Sequence, residues 1–163
     1  AKSNFVLSKK NRSYEGLSGQ YSRLLQRNLK SKNVQITSAS REDSIAFLKV
    51  NDLFQNLVWK NYAASFLSLI SKEFVHCIQA TESQNNTPLG VLIYAVYRDI
   101  AYLLFPYQSA MGKSMNAMSF LIDSLIRDPF IKTINFEGSS IVSIANFYRQ
   151  FGAEEETYWE MRL

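Results

Sequence analysis

The residues best suited to chemistry cluster toward the C-terminal end of the chain. Glu137 closes an alternating apolar run, Ile131 to Phe136, and so sits at the C-terminal end of a strand, where α/β folds gather ligand groups. A carboxylate there has two readings. It is a base that takes a proton from an amine once burial lifts its pKa, or an acceptor for N–H groups of the following helix, where negative charge is favoured. Tyr148 lies in the next helical pattern, Ser140 to Phe151, beside a stripe of Ile144, Phe147 and Phe151. On its own it reads as a packing ring with its hydroxyl paired at the surface.

Upstream, the loop Tyr107 to Ser114 precedes a helical pattern, and unsatisfied N–H groups at a helix N-terminus suit a phosphate. Gly112-Lys113-Ser114 ends like a nucleotide-binding loop, but the first glycine of that pattern falls on Tyr107, so the pattern fails. Met111, Gly112, Lys113 and Ser114 are therefore either a phosphate site or an ordinary capped connection. His76 has no partner at triad or ligand spacing, and Cys77 points to the opposite face of the same strand, so adjacent residues cannot form a dyad. Arg23, Arg27 and Lys30 on an N-terminal amphipathic helix either track phosphates of a nucleic acid or form a solvated face. Tyr14 and Tyr21 are too few for a base-stacking platform.

These groups need elements to position them. The apolar spacing of Leu17, Tyr21, Leu24 and Leu25 predicts a basic helix over Tyr14 to Lys32. Val34 to Thr37 alternates as a strand, Ser40 caps a helix running to about Phe54, and a second helix is expected over Tyr62 to Lys72. Phe74 to Thr81, Gly90 to Tyr97 and Ile100 to Phe105 are strand-like, with connections short enough to require an antiparallel meander. A helix from Ser114 to Arg127 then crosses to the strand Ile131 to Phe136, which must run parallel to Ile100 to Phe105. A last strand is expected over Thr157 to Leu163. The fold class is thus α/β with a mixed sheet.

Composition narrows the function classes. The 163 residues are 47% hydrophobic and 13% aromatic, enough for one sizeable core. A formal charge of +4 suits anionic ligands but is too small to diagnose nucleic-acid binding. One cysteine and one histidine exclude a disulfide framework and a zinc cluster, so a cytoplasmic, metal-free protein is expected. No apolar run reaches membrane-spanning length, and the start AKSNFVLSKK has no signal-peptide core. A start without methionine is expected of a piece of a longer chain.

The order strand, two helices, three-strand meander, helix, strand, helix, strand over Val34 to Leu163 resembles the GNAT acyltransferase fold. The run Phe136-Glu137-Gly138-Ser139, with Ile144, Phe147-Tyr148-Arg149 and Phe151-Gly152-Ala153, is similar to the Fem-type branch of that fold. Leu24 to Lys30 also resembles the helix that leads into the second GNAT-like domain of such proteins. The resemblance implies residues 1–33 as an N-terminal segment with a basic helix, residues 34–163 as the GNAT-like domain, and a preceding domain of the same kind as a partner. It implies a bacterial N-acyltransferase moving an acyl or aminoacyl group from acyl-CoA or aminoacyl-tRNA to an amine, with no tightly bound cofactor. It implies a wedge between Ile100 to Phe105 and the strand carrying Ile134 and Phe136, with a tight turn at Gly138. The donor pyrophosphate would lie at Met111, Gly112, Lys113 and Ser114, and meander N–H groups would stabilise the oxyanion. Tyr148, four residues before Gly152, would protonate the departing thiolate, with Glu137 or water as base. Asn135 departs from the pattern, since relatives often carry an acid there. The rival is a non-catalytic GNAT module that binds a partner domain or nucleic acid through its N-terminal helix.

Overall fold

One seven-stranded sheet, in the order β2-β3-β4-β5-β6-β1-β7, organises the computed structural model, which describes residues 2–10, 12–51, 73–137 and 141–158. The strands are β1 (Lys2–Ser8), β2 (Val34–Ser38), β3 (Val75–Glu82), β4 (Pro88–Tyr97), β5 (Ile100–Gln108), β6 (Thr133–Asn135) and β7 (Glu154–Tyr158). Neighbours are antiparallel except β5 and β6, which run parallel as the helical crossover requires. The two-residue turn Arg98-Asp99 joins β4 to β5, with Arg98 in a left-handed conformation at φ 59°. This is the GNAT fold, an α/β architecture with a meander followed by a βαβ crossover.

The sheet is covered on both faces. Alternate residues Ile78 and Ala80 of β3 and Leu92 and Tyr94 of β4 join one large core with α5 (Ala117–Arg127) and α6 (Val142–Arg149). The intervening positions Cys77, Val91 and Ile93 meet Leu48 of α3 (Arg41–Val50) on the other face. Burial pushes the Cys77 thiol up, as expected of an inert core cysteine. His76 stacks on Tyr94 with ring centroids 5.4 Å apart, on the face away from Cys77. Ser40 caps α3 by accepting from the Asp43 N–H at 2.9 Å. The helix expected over Tyr62 to Lys72 and the turn at Gly138 lie outside the described residues.

The N-terminal region differs from its sequence reading. Residues 2–8 form β1 inside the sheet, pairing with both β6 and β7, with Phe5 and Leu7 fully buried. The single helix expected over Tyr14 to Lys32 is two short helices, α1 (Tyr14–Ser18) and α2 (Arg23–Asn28). Ser22 restarts the chain as a helix by accepting from the Leu25 N–H, which leaves Leu24 49% exposed while Leu17, Tyr21 and Leu25 stay buried. The last strand begins at Glu154, earlier than expected.

A buried polar knot fastens this region to α5. Asp123, 4% exposed, accepts from the Tyr14 and Tyr21 hydroxyls at 3.0 Å each and from Arg127 Nε at 2.8 Å. The Arg127 guanidinium also lies over the Tyr14 ring, 4.2 Å from its centroid. Burial, followed by the Asp123 charge, pushes the Tyr14 phenol up to about 12 and raises that of Tyr21 further, so both donate at neutral pH. Lys9 completes the attachment by donating from Nζ to the Ile126 and Asp128 carbonyls at the end of α5.

Candidate active site

The sheet parts where β6 stops. Pairing between β5 and β6 covers only Ile100 with Thr133, Ala101 with Ile134 and Tyr102 with Asn135, whereas β5 continues to Gln108. The register of β4 and β5 also shifts between Ile93 and Tyr94, leaving Leu104 as an extra residue in β5. This bulge reverses the alternation. Ala101 and Leu103 face the α5 core, but Phe105 and Tyr107 face the α3 side, where the Tyr107 hydroxyl donates to the Asn51 carbonyl at 2.7 Å. Pro106 and Gln108 are thereby turned toward α5.

A cavity of about 480 Å³ fills the resulting wedge. Pro106, Tyr107 and Gln108 of β5 form one wall, and Met118 and Ile122 of α5 with Lys113 form another. Ser143, Ile144, Phe147 and Tyr148 of α6 close it. Its size and mixture of apolar walls with a few polar groups suit a small-molecule or carrier-arm ligand. Beyond Tyr102 the outer edge of β5 has no strand partner among the described residues, and Pro106 has no N–H to offer there.

Tyr148 is the most sheltered polar group of this wall. It is 6% exposed, with its ring 4.4 Å from Phe136 and 5.9 Å from Phe5. Its hydroxyl has no hydrogen-bond partner among the described residues, and burial alone raises its pKa above that of a free phenol. The buried side of α6 is Ala145 and Tyr148, continued by Phe151, and not the expected stripe through Ile144, which is 37% exposed at the cavity. The helix ends as Gly152 takes a left-handed φ of 82°, which spares any side chain that conformation.

The loop after β5 is closed by its own residues. It forms α4 (Ala110–Ser114), and Asn116, left-handed at φ 57°, separates this turn from α5, so the one helix expected from Ser114 is broken there. Ser109 Oγ accepts from the Gly112 N–H at 3.1 Å and the Ser109 carbonyl from the Lys113 N–H at 2.9 Å. The N–H groups of Ala110 and Met111 have no partner among the described residues. At α5 the Met118 N–H donates to Gln108 Oε1 at 3.0 Å, a cap supplied from the strand. Gly112 is there for close packing, because a Cβ on it would lie 2.0 Å from the Leu89 carbonyl oxygen of β4. Gly112→Ala is expected to push α4 off β4 and lower stability by about 1–3 kcal/mol, the usual cost of overpacking, readable as a lowered midpoint in urea.

The other candidate residues are not assembled here. Glu137 is solvent-exposed at φ 61°, its N–H held by Asn135 Oδ1 at 2.8 Å, and it does not line the cavity. Partial burial still raises its carboxyl pKa. Met111 and Ser114 are exposed, with the Ser114 hydroxyl donating to the Met111 carbonyl, so of the four loop residues only Lys113 lines the cavity. Arg23, Arg27 and Lys30 are exposed on or just after α2, whose Asn28 Nδ2 donates to Asn116 Oδ1 at 3.1 Å beside the α4–α5 joint. Gln108, Ser143 and the floor residues Met118 and Ile122 were not singled out as site residues. A proline inside a strand, Pro106, was the available signal, since it marks a bulge or edge. Among the described residues no group of His, Cys, Asp and Glu could hold a metal ion, and no helix is long and apolar enough to cross a membrane.

This combination of a meander, a parallel crossover and a wedge opened beside a bulge defines the GNAT class of fold. Among solved structures, the chain is similar to FemX with a TM-score of 0.71 at 8% identity, covering 94% of this chain and 59% of that one. It is similar to a conserved protein from Bacteroides thetaiotaomicron with a TM-score of 0.63 at 11% identity, covering 95% of this chain and 58% of that one. It is also similar to AAC(6')-Iy, solved in complex with the bisubstrate analogue CoA-S-monomethyl-acetylneamine, with a TM-score of 0.58 at 11% identity, covering 81% of this chain and 100% of that one. The chain therefore spans less than two thirds of the first two. No family model and no curated protein matches the sequence.

Proposed function

We propose that the chain is an N-acyltransferase domain that moves an acyl group from an activated thioester carrier, acyl-CoA, to an amine. The observation that carries this reading is the wedge cavity with Tyr148 in its wall, its hydroxyl without a hydrogen-bond partner among the described residues. The carrier arm lies in the wedge beside β5, where a backbone N–H of the sheet meets the developing oxyanion. The amine nitrogen attacks the carbonyl carbon and the carbon–sulfur bond breaks. The departing sulfur takes the Tyr148 proton, and the amine's proton passes through water to Glu137, which follows Phe136 in the chain. Most of the acceleration comes from holding amine and carbonyl in register. The test is thiol release from acetyl-CoA with a panel of primary amines. Amine-dependent release is expected, and amine-independent or absent release contradicts the reading.

A second reading has its own support. The Gly112 and Lys113 N–H groups are already taken by Ser109, which removes donors that a carrier pyrophosphate would use. A non-catalytic module would instead bind a partner or nucleic acid through Arg23, Arg27 and Lys30, with affinity falling steeply with salt.

A further inference from the structure

We infer that the acyl group held in the wedge is an uncharged hydrocarbon chain several carbons long, and not an aminoacyl group; this rests on the acyl-transfer reading above. Most of the lining is apolar surface, from Pro106, Met118, Ile122, Ile144, Phe147 and the Tyr148 ring. No carboxylate is among the lining residues described, and their one charge is the cation of Lys113. The α-ammonium of an aminoacyl group would be desolvated against these walls with no carboxylate of the described lining in contact, Glu137 standing outside the cavity, and would face the like charge of Lys113. Gln108 could not take over as acceptor, because its Oε1 already holds the Met118 N–H.

The apolar lining also reaches the open side of the cavity, where Ile144 is 37% exposed. A chain longer than the wedge would meet this side chain as it leaves. Lys113 fits the other end of such a ligand, since it attracts the anionic carrier while the chain lies along the walls. The chemistry selected is an anionic carrier bearing a neutral aliphatic acyl group.

The test uses non-hydrolysable S-ethyl, S-octyl and S-(2-aminoethyl) thioethers of coenzyme A, titrated calorimetrically into the whole chain. Each buried methylene is expected to tighten binding about fourfold, so S-octyl, with about three or four of its six additional methylenes buried, should exceed S-ethyl by on the order of 10²-fold, with S-(2-aminoethyl) the weakest. Equal affinities, or preference for the aminoethyl compound, overturn this inference and leave the donor reading standing. Binding by none of the three overturns both. Ile122→Trp is expected to fill the wedge and remove the S-octyl advantage while S-ethyl still binds. If that variant does not fold, Ile144→Trp at the exposed rim makes the same measurement without touching the core.

Discussion

Replacing Tyr148 by phenylalanine is expected to lower turnover by roughly 10²-fold while leaving the fold and donor affinity nearly unchanged. The ring that packs on Phe136 and Phe5 is retained, and the hydroxyl that is removed has no described partner, so the denaturation midpoint should stay within about 0.5 kcal/mol of wild type. A proton donated to the leaving sulfur matters in the transition state and not in the bound ground state, so the loss belongs in kcat. The pH profile carries an independent signature. A general acid works protonated, and burial raises the Tyr148 pKa above the free-phenol value of about 10, so the alkaline limb of the wild-type rate should lie above that pH. That limb should vanish in the variant. Full turnover in Tyr148→Phe makes the residue a packing element, and unfolding makes its hydroxyl a structural partner.

Asp123→Ala should be the most damaging substitution for stability, at about 3 kcal/mol. It removes the common acceptor of Tyr14, Tyr21 and Arg127, and each buried donor left without a partner costs about 1–3 kcal/mol. The Arg127 share is small, because its side chain is 59% exposed and water replaces the carboxylate there. Tyr21 accounts for most of the loss. Urea denaturation followed by tryptophan fluorescence and by far-ultraviolet dichroism measures it, and a change under 1 kcal/mol would mean that the knot is dispensable. Because α1 and α2 are held to α5 through this residue, amide exchange should rise first in residues 13–28.

The parts of the fold legible in the sequence are those fixed by neighbours in the chain. Arg98-Asp99 is too short to join anything but antiparallel strands, and the helix before Ile131 requires a parallel return, so the order and sense of β3 to β6 follow from connection length alone. Strand β1 depends on partners more than a hundred residues away, and of Ser3 to Ser8 only Phe5 and Leu7 are deeply buried, which gives too short an alternation to see. The break between α1 and α2 was written in Gly19 and Ser22, but the helical spacing of Leu17, Tyr21, Leu24 and Leu25 outweighed those signals.

The site was legible in the same uneven way. Tyr148 was expected beside the wedge only through the resemblance, since its helical position alone reads as packing, and it does line the cavity. The reversal of alternation that turns Pro106 and Gln108 into the wedge depends on a one-residue bulge at Leu104 that no local pattern reveals. Gly112 could be picked out by type, but its reason is a backbone contact with Leu89, twenty-odd positions earlier, and not room for a phosphate.

The central claim is that a carrier thioester lies in the wedge between β5 and α6. The most direct measurement is to titrate the isotopically labelled chain with acetyl-CoA and follow backbone amide shifts by nuclear magnetic resonance. The account predicts saturable shifts at Tyr107, Gln108, Lys113, Ser143 and Tyr148, with α3 and β2 unmoved. Shifts confined to Arg23, Arg27 and Lys30 on the α2 side, or none at all at millimolar ligand, would contradict it.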